Sequence, residues 1–274
     1  MPKTLLAVVS DLHIGSTVGL APQYFVRDDG ETYEASKAQL WLWQCWHDYW
    51  ANVQARKKRG DRLIVILNGD VVDGANHHGT NQTVSSSGSD EVRLAVQVLE
   101  PIKKMSDKIF IVRGTPSHVG VAGQQEEMVG QIIKSEKDGE RSTFDFLPLE
   151  IDNLLFHFAH HGRVGGTPTT RHNATLKAAS EHILNAARLG RKPADVLVRS
   201  HAHKFADSGD NFPTRCIQSP AFQLATGYIY RIAPDENNIA DIGGLLFTIE
   251  NSAYDMQWIG RNKYVPAQKE TIKL

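Results

Sequence analysis

The sequence predicts an α/β protein whose first half carries a parallel sheet. Two observations predict it and a third marks where its chemistry lies. Short, wholly apolar runs recur along the chain, and in the first half they alternate with longer stretches of helical periodicity. No repeat, low-complexity tract or linker divides the 274 residues, which suffice to bury a sizeable core, so residues 1–274 read as one domain. Several of the apolar runs end in Asp or His just where the chain turns.

Residues 4–10 are continuous and apolar, like a buried central strand. Residues 33–59 read as a long helix in which Leu42, Trp46, Tyr49, Trp50 and Val53 recur at helical spacing. Four of the five tryptophans lie there, and they read as a core-facing stripe rather than a binding surface. Residues 62–68 are a second buried strand, 87–105 contain a helix, and 108–112 are a third strand. Strand, helix, strand, helix, strand implies parallel pairing, because each crossover returns the chain in the same direction. Residues 124–136 predict a helix with Glu126 and Glu127 in its first turn, where the helix dipole favours acids. Short strands at 143–147 and 154–159 follow. Residues 171–189 are the clearest amphipathic helix, closed by Gly190 as a C-terminal cap. Residues 195–199 are another strand, and beyond 214 the chain is mainly strand, at 215–218, 244–250 and 254–259. Residues 77–90, rich in Ser, Gly, Thr and Asn, predict a long surface loop. Residues 219–228, SPAFQLATGY, read as a turn and packing segment.

Thirty basic and 31 acidic residues leave a net charge of −1, so no global field points to nucleic acid, although a local basic groove is invisible to net charge. Cys45 and Cys216 belong to no metal-ligand or CxxC spacing and read as reduced thiols. The N-terminal apolar run is too short for a secretory signal. No stretch approaches the ~20 apolar residues of a membrane span. The expectation is a soluble, cytoplasmic chain.

Twelve histidines are the unusual count, and their positions give them meaning. The first strand ends in Asp11-Leu-His13, the second in Asn68-Gly-Asp70-Val-Val-Asp73, and the third in Arg113-Gly-Thr-Pro-Ser-His118. Later strands end in His160-His161-Gly162 and Ser200-His201-Ala-His203. In α/β sheets the loops at the carboxyl ends of strands converge on one crevice, where ligands bind. Imidazole and carboxylate without thiolate suit Mn, Fe or Zn. A carboxylate shared by two such ions ~3.5–4 Å apart is the clamp used for displacement at phosphorus.

In this order the five blocks resemble the signature of the calcineurin-like metallophosphoesterases, over residues 11–203. The resemblance implies an α/β fold of four layers, α/β/β/α, with two mixed sheets flanked by helices. It implies two divalent transition-metal ions (Mn, Fe or Zn, with Mn favoured). Asp11, His13 and His203 would hold one ion, His161 and His201 the other, and Asp70 would bridge them. Two blocks depart from the family's pattern. Ser200 stands where the family has glycine, and the family's Gly-Asn-His-Asp is here Gly114-Thr-Pro-Ser-His118. The asparagine ligand is missing, which leaves water, Thr115 or Ser117 to complete the second metal. Pro116 disfavours helix for Thr115, so an extended loop is expected to bring His118 back over the metals.

The activity implied is hydrolysis of a phosphoester by water activated between two ions, with Asp70 and His118 as the catalytic pair. His118 would stabilise developing charge or protonate the leaving oxygen. Asp73 is expected to steady the loop or a ligand. Arg113, His77, His78 and Arg163 are candidates to touch substrate. His160, next to a ligand on an extended segment, is expected on the opposite side. Two rival functions remain open: a nuclease acting on DNA or RNA ends, which needs a basic groove or a stacking platform, and a metal-binding scaffold of the same fold that has lost turnover. The sequence leaves the natural substrate and the oligomeric state open.

Overall fold

The computed structural model describes residues 2–74, 82–120, 123–162, 170–227, 229, 239–262 and 264. β1 (Thr4–Val9) leads through a small hairpin, β2 (Tyr24–Val26) and β3 (Thr32–Glu34), into α1 (Lys37–Arg56). β4 (Arg62–Asn68), α2 (Gly88–Met105), β5 (Lys108–Val112), the single turn α3 (Pro116–Val119) and α4 (Gln124–Ile133) follow. The second half contains β6 (Leu147–Ile151), β7 (Leu154–Phe158), α5 (Arg171–Arg188), β8 (Val196–Arg199), β9 (Ala206–Asp207), β10 (Arg215–Gln218), β11 (Ile242–Glu250) and β12 (Ala253–Asn262).

Among the described residues the long strands form two five-stranded sheets, ordered β12-β11-β1-β4-β5 and β6-β7-β8-β10-β9. β1, β4 and β5 run parallel, as strand-helix alternation requires, while β11 and β12 add antiparallel partners. In the second sheet β7, β8 and β10 are parallel, with β6 and β9 antiparallel at the edges. Both sheets are therefore mixed.

Strand alternation sorts the core into layers. Leu5, Ala7 and Val9 of β1, with Leu63, Val65 and Leu67 of β4, face the helices and pack with Trp46, Tyr49, Trp50 and Val53 of α1 and Leu94, Val98 and Ile102 of α2. The alternate residues, Leu6, Val8, Ile64 and Ile66, face the second sheet and meet Phe156, Phe158, Val196, Val198 and Ile217. On the far side Ala179 of α5 packs against Leu197 and Cys216. Strands buried on both faces are continuous apolar runs for this reason. The result is helices, sheet, sheet and helix, the architecture that the metallophosphoesterase resemblance implies.

Several elements differ from expectation. The helix expected over 33–59 begins later, at Lys37, because residues 32–34 pair with 24–26 across a turn containing Asp29-Gly30. The strand expected at 143–147 lies at Leu147–Ile151, where Pro148 sits on an edge strand that tolerates a missing donor. The helix expected to reach 136 ends at Ile133, because Lys134 turns into the left-handed region (φ 56). Residues 116–119 form a helical turn where a loop was expected, with Pro116 at its first position. Of the expected loop at 77–90, residues 77–81 lie outside the described residues, and α2 begins at Gly88.

Candidate metal centre

The two sheets present the carboxyl ends of β1, β4, β5, β7 and β8 to one crevice, and the backbone there is bent into rare conformations. Asp11 (φ 52), His13 (φ 42), Asp70 (φ 50), His201 (φ 74) and His203 (φ 54) all have positive φ. A non-glycine residue in that region costs on the order of 1–3 kcal/mol and persists only where its surroundings over-determine it. Here cross-strand bonds do so: the amide of Asp11 donates to the carbonyl of Gly69 and that of His13 to Asp70, both at 3.0 Å. Gly69 and Gly114 are glycines for lack of room. A Cβ on Gly69 would lie 2.3 Å from Nδ1 of His160, and one on Gly114 would lie 2.2 Å from a carboxylate oxygen of Asp70.

Among the described residues three groups of ligand-type atoms form, each within 4.8 Å: Asp11, His13 and His203; His13, Asp70 and His118; and Asp70, His160 and His201. Nε2 of His203 is 3.2 Å from Oδ1 of Asp11, and Nε2 of His13 is 3.2 Å from Nε2 of His203. Asp70 stands between the first group and the third. Its Oδ2 is 2.9 Å from Nε2 of His160, 3.9 Å from Nδ1 of His201 and 4.0 Å from Nε2 of His13.

The electrostatics match a site built for cations. Burial alone would raise the pKa of Asp11, but His203 and His160 overcome it and bring it down to about 2. The same contest, won chiefly by His160, holds Asp70 well below the usual carboxylate range. Burial opposes a charge on His160, yet Asp70 and Asp11 lift its pKa to about 9. Burial lowers His13, whose Nδ1 lies 2.9 Å from Oδ1 of Asp73. An imidazole that donates one N–H to a carboxylate presents the bare nitrogen opposite, the usual orientation of a metal-ligating histidine. Oδ1 of Asp11 is buried without a hydrogen-bond partner among the described residues. An orphaned carboxylate oxygen facing imidazole nitrogens, with no thiolate, is a donor set that fits a divalent transition metal.

The structure brings Asp11, His13, Asp70, His201 and His203 together, and it places His160 rather than the expected His161 among them. His161 is exposed, with its ring 5.1 Å from that of His201, and it enters none of the three groups. His160 takes its place. Phe156 and Phe158 point between the sheets, and His160, two residues further, keeps that parity and enters the crevice, so His161 turns outward.

Of the two hydroxyl candidates it is Thr115 that faces the site, and it bonds Asp70 from both its atoms. Its amide donates to Oδ1 at 2.6 Å and its hydroxyl to Oδ2 at 2.7 Å. Ser117 lies on α3 and makes no hydrogen bond to these residues among those described. Thr115 is extended (φ −73, ψ 136), as the following proline demands. The turn it starts carries His118 back over the crevice, where its ring stands edge-on to His13 at 4.4 Å. Nδ1 of His118 is 2.9 Å from the carbonyl oxygen of Asp73. Burial opposes its charge, but Asp73 and Asp70 together raise its pKa above the ordinary value. Arg113 does not reach the crevice. It pairs with Asp145 at 3.0 Å and Thr143 at 3.1 Å, because the side chain leaves β5 on the opposite side. His77, His78 and Arg163 lie outside the described residues.

Three supports had no motif to announce them. A buried chain of hydrogen bonds joins the strand ends: Asn68 donates to Ser200 (2.6 Å), Ser200 meets Ser219 (2.8 Å), Ser219 meets Ser10 (3.1 Å), and Ser10 donates to Asp11. Ser200, in the glycine's place, is the hub of that chain. Residues 219–228 also contribute: Phe222 donates its amide to the carbonyl of Asp11 (3.1 Å), and Gln223 reaches Asp73 (3.5 Å). Finally, Glu126 and Glu91 accept backbone amides from the loop that follows β4. Strict alternation from Phe156 could have revealed His160; the other contacts join residues distant in sequence.

Among the described residues no helix is long and apolar enough to cross a membrane. No family profile and no curated protein matches the chain. Solved structures align along most of it. One is a predicted phosphoesterase from Streptococcus pneumoniae, 12% identical, covering 96% of this chain and 94% of that one, with a TM-score of 0.38. Another is Vps29 from Chaetomium thermophilum, 13% identical over 92% and 93% of the two chains, with a TM-score of 0.40. A third is a protein serine/threonine phosphatase from Saccharomyces cerevisiae, 10% identical over 98% and 82%, with a TM-score of 0.39.

Proposed function

We propose that the protein is a metal-dependent phosphoesterase of the calcineurin-like kind. The observation that carries this reading is the convergence of Asp11, His13, Asp70, His160, His201 and His203 at the ends of strands from both sheets, with Asp70 placed between two ligand groups. Asp11, His13 and His203 would hold one divalent ion and Asp70, His160 and His201 the other, with Asp70 shared. Two ions so placed supply Lewis acidity toward phosphoryl oxygens and lower the pKa of water enough to make it a nucleophile at neutral pH. Manganese is the first choice for a set of imidazoles and carboxylates.

The chain's own residues supply the rest. Asp73 fixes the orientation of His13 through Nδ1, and Thr115 fixes both oxygens of Asp70. His118 donates Nδ1–H to the carbonyl of Asp73, so Nε2 is the atom that can hand a proton to a departing oxygen. Asp73 and Asp70 raise the pKa of that ring above the ordinary histidine value, which favours the protonated, donating form.

Calorimetric titration with manganese tests the assignment. Wild type is expected to take up two ions per chain and, with manganese supplied, to hydrolyse at least one ester in a panel of phosphomonoesters, phosphodiesters, nucleotides and single-stranded DNA. Asp70→Asn is expected to weaken both ions, since the shared carboxylate loses its charge to each. Undiminished uptake of two ions by that variant would overturn the assignment. Uptake of metal with no turnover of any ester would identify a binding scaffold instead.

A further inference from the structure

Glu126 lies in the first turn of α4 and is fully buried. An acid there is ordinarily explained by the helix dipole, but its carboxylate is aimed at two other segments. Oε1 accepts the amide of Val71 at 2.9 Å, and Oε2 accepts the amide of Gly114 at 2.8 Å. Val71 follows Asp70, and Gly114 precedes Thr115. One side chain therefore ties the loop after β4 to the loop after β5, and those loops meet again where Thr115 holds both oxygens of Asp70. The far end of the first loop is held in the same manner: Glu91 of α2 accepts the amide of Gly74 at 2.7 Å.

We infer that Glu126 is a positioning residue of the metal centre, one that sets the direction of the Asp70 carboxylate by clamping the backbone on both sides of the Asp70–Thr115 contact. The inference rests on the proposed function. A buried carboxylate accepting two amides fixes two strand-end loops at once. The β4–β5 pairing ends at Asn68 and Val112, and beyond that register the two loops are joined by the Glu126 clamp and the Asp70–Thr115 contact. Asp70 is the residue that spans the gap. The affinity of the centre for metal thus depends on a side chain that touches no ligand.

Glu127 supplies a matched control. It occupies the same turn and clamps a loop too, accepting the amide of Ser142 (2.8 Å) and the hydroxyl of Thr143 (2.9 Å), away from Asp70. The experiment is calorimetric titration of manganese into wild type, Glu126→Gln, Glu126→Asp and Glu127→Gln, each with a circular dichroism spectrum and a thermal midpoint. Glu126→Gln turns one acceptor into an NH₂ facing an N–H. Glu126→Asp keeps the charge and withdraws the carboxylate by one methylene. Both are expected to weaken manganese binding by roughly 10–100-fold, the usual effect of disturbing a partner that orients metal ligands. Glu127→Gln is expected to bind as wild type does, whatever its midpoint. Wild-type affinity in both Glu126 variants overturns the inference, and so does equal weakening by Glu127→Gln. Loss in Glu126→Gln alone would mark a field effect of the charge and also overturn it. If Glu126→Gln fails to fold, Glu126→Asp against Glu127→Gln decides. No binding by wild type would overturn the proposed function, and this inference with it.

Discussion

Thr115 stands where the resembled signature has a metal-ligating asparagine, and it spends both its donors on the carboxylate of Asp70. The altered block thus orients the Asp70 carboxylate, and it still delivers His118 to the crevice because Pro116 starts a helical turn. Nearly every candidate ligand was legible from motif and order. His160 was not, because it requires knowing which strand face is buried, and His161 adjoins the glycine that the motif names. The role of His118 depends on how badly the leaving oxygen needs a proton. p-Nitrophenolate leaves readily; an alkoxide does not. His118→Ala is expected to retain both metals, to slow a p-nitrophenyl ester modestly, and to slow an alkyl ester by ~10²–10⁴-fold. The kcat/KM values for the two esters check this, and equal slowing would assign His118 to charge stabilisation on the phosphoryl oxygens.

At the scale of elements, the long apolar and amphipathic segments were legible because a single periodicity dominates each. The hairpin β2–β3 was not, since its three-residue strands are too short to show alternation, and Pro148 disguised β6. The start of α1 carries a consequence for the site. Ser36 caps the helix by accepting the amide of Gln39 (3.2 Å), and the Gln39 side chain returns to the amide of Ser36 (3.2 Å). The same Gln39 donates to the carbonyls of Ser16 (3.1 Å) and Gly19 (3.3 Å), in the loop that leaves His13. Ser36→Ala is expected to destabilise the fold by ~1 kcal/mol, read as a lower urea midpoint with an unchanged slope. Metal uptake should survive, because Gln39 keeps its two bonds to the loop.

For the whole molecule, near-neutral composition says little; the second sheet was implied by the resemblance alone, and its strand order was illegible because its pairing joins distant segments. What the composition conceals is a titration outside the crevice. His157 of β7 meets His182 of α5 at 5.2 Å between rings, and Arg199 lies beside both. Burial first, then His182 and Arg199, push the pKa of His157 down to about 4. The sign follows from linkage: the unfolded chain takes up this proton near the ordinary histidine value of ~6.5, the folded chain only near 4. This contribution to stability is complete above the unfolded value and is lost as pH falls toward the folded one. Urea midpoints from pH 7 to 4.5 should fall more steeply for wild type than for His157→Asn. Parallel curves would refute the assignment.

The position of β11 bears on how the chain is made. β1 is an interior strand flanked by β4 and β11, and its partner β11 spans Ile242–Glu250. During synthesis, β4 can pair with β1 as soon as it emerges, but the other edge of β1 waits until Ile242–Glu250 has been made. Until then an apolar strand offers a row of unpaired amides and carbonyls, the template on which chains join edge to edge. A nascent or truncated chain that stops before β11 therefore carries its aggregation hazard in β1, and β11 is the strand that removes it.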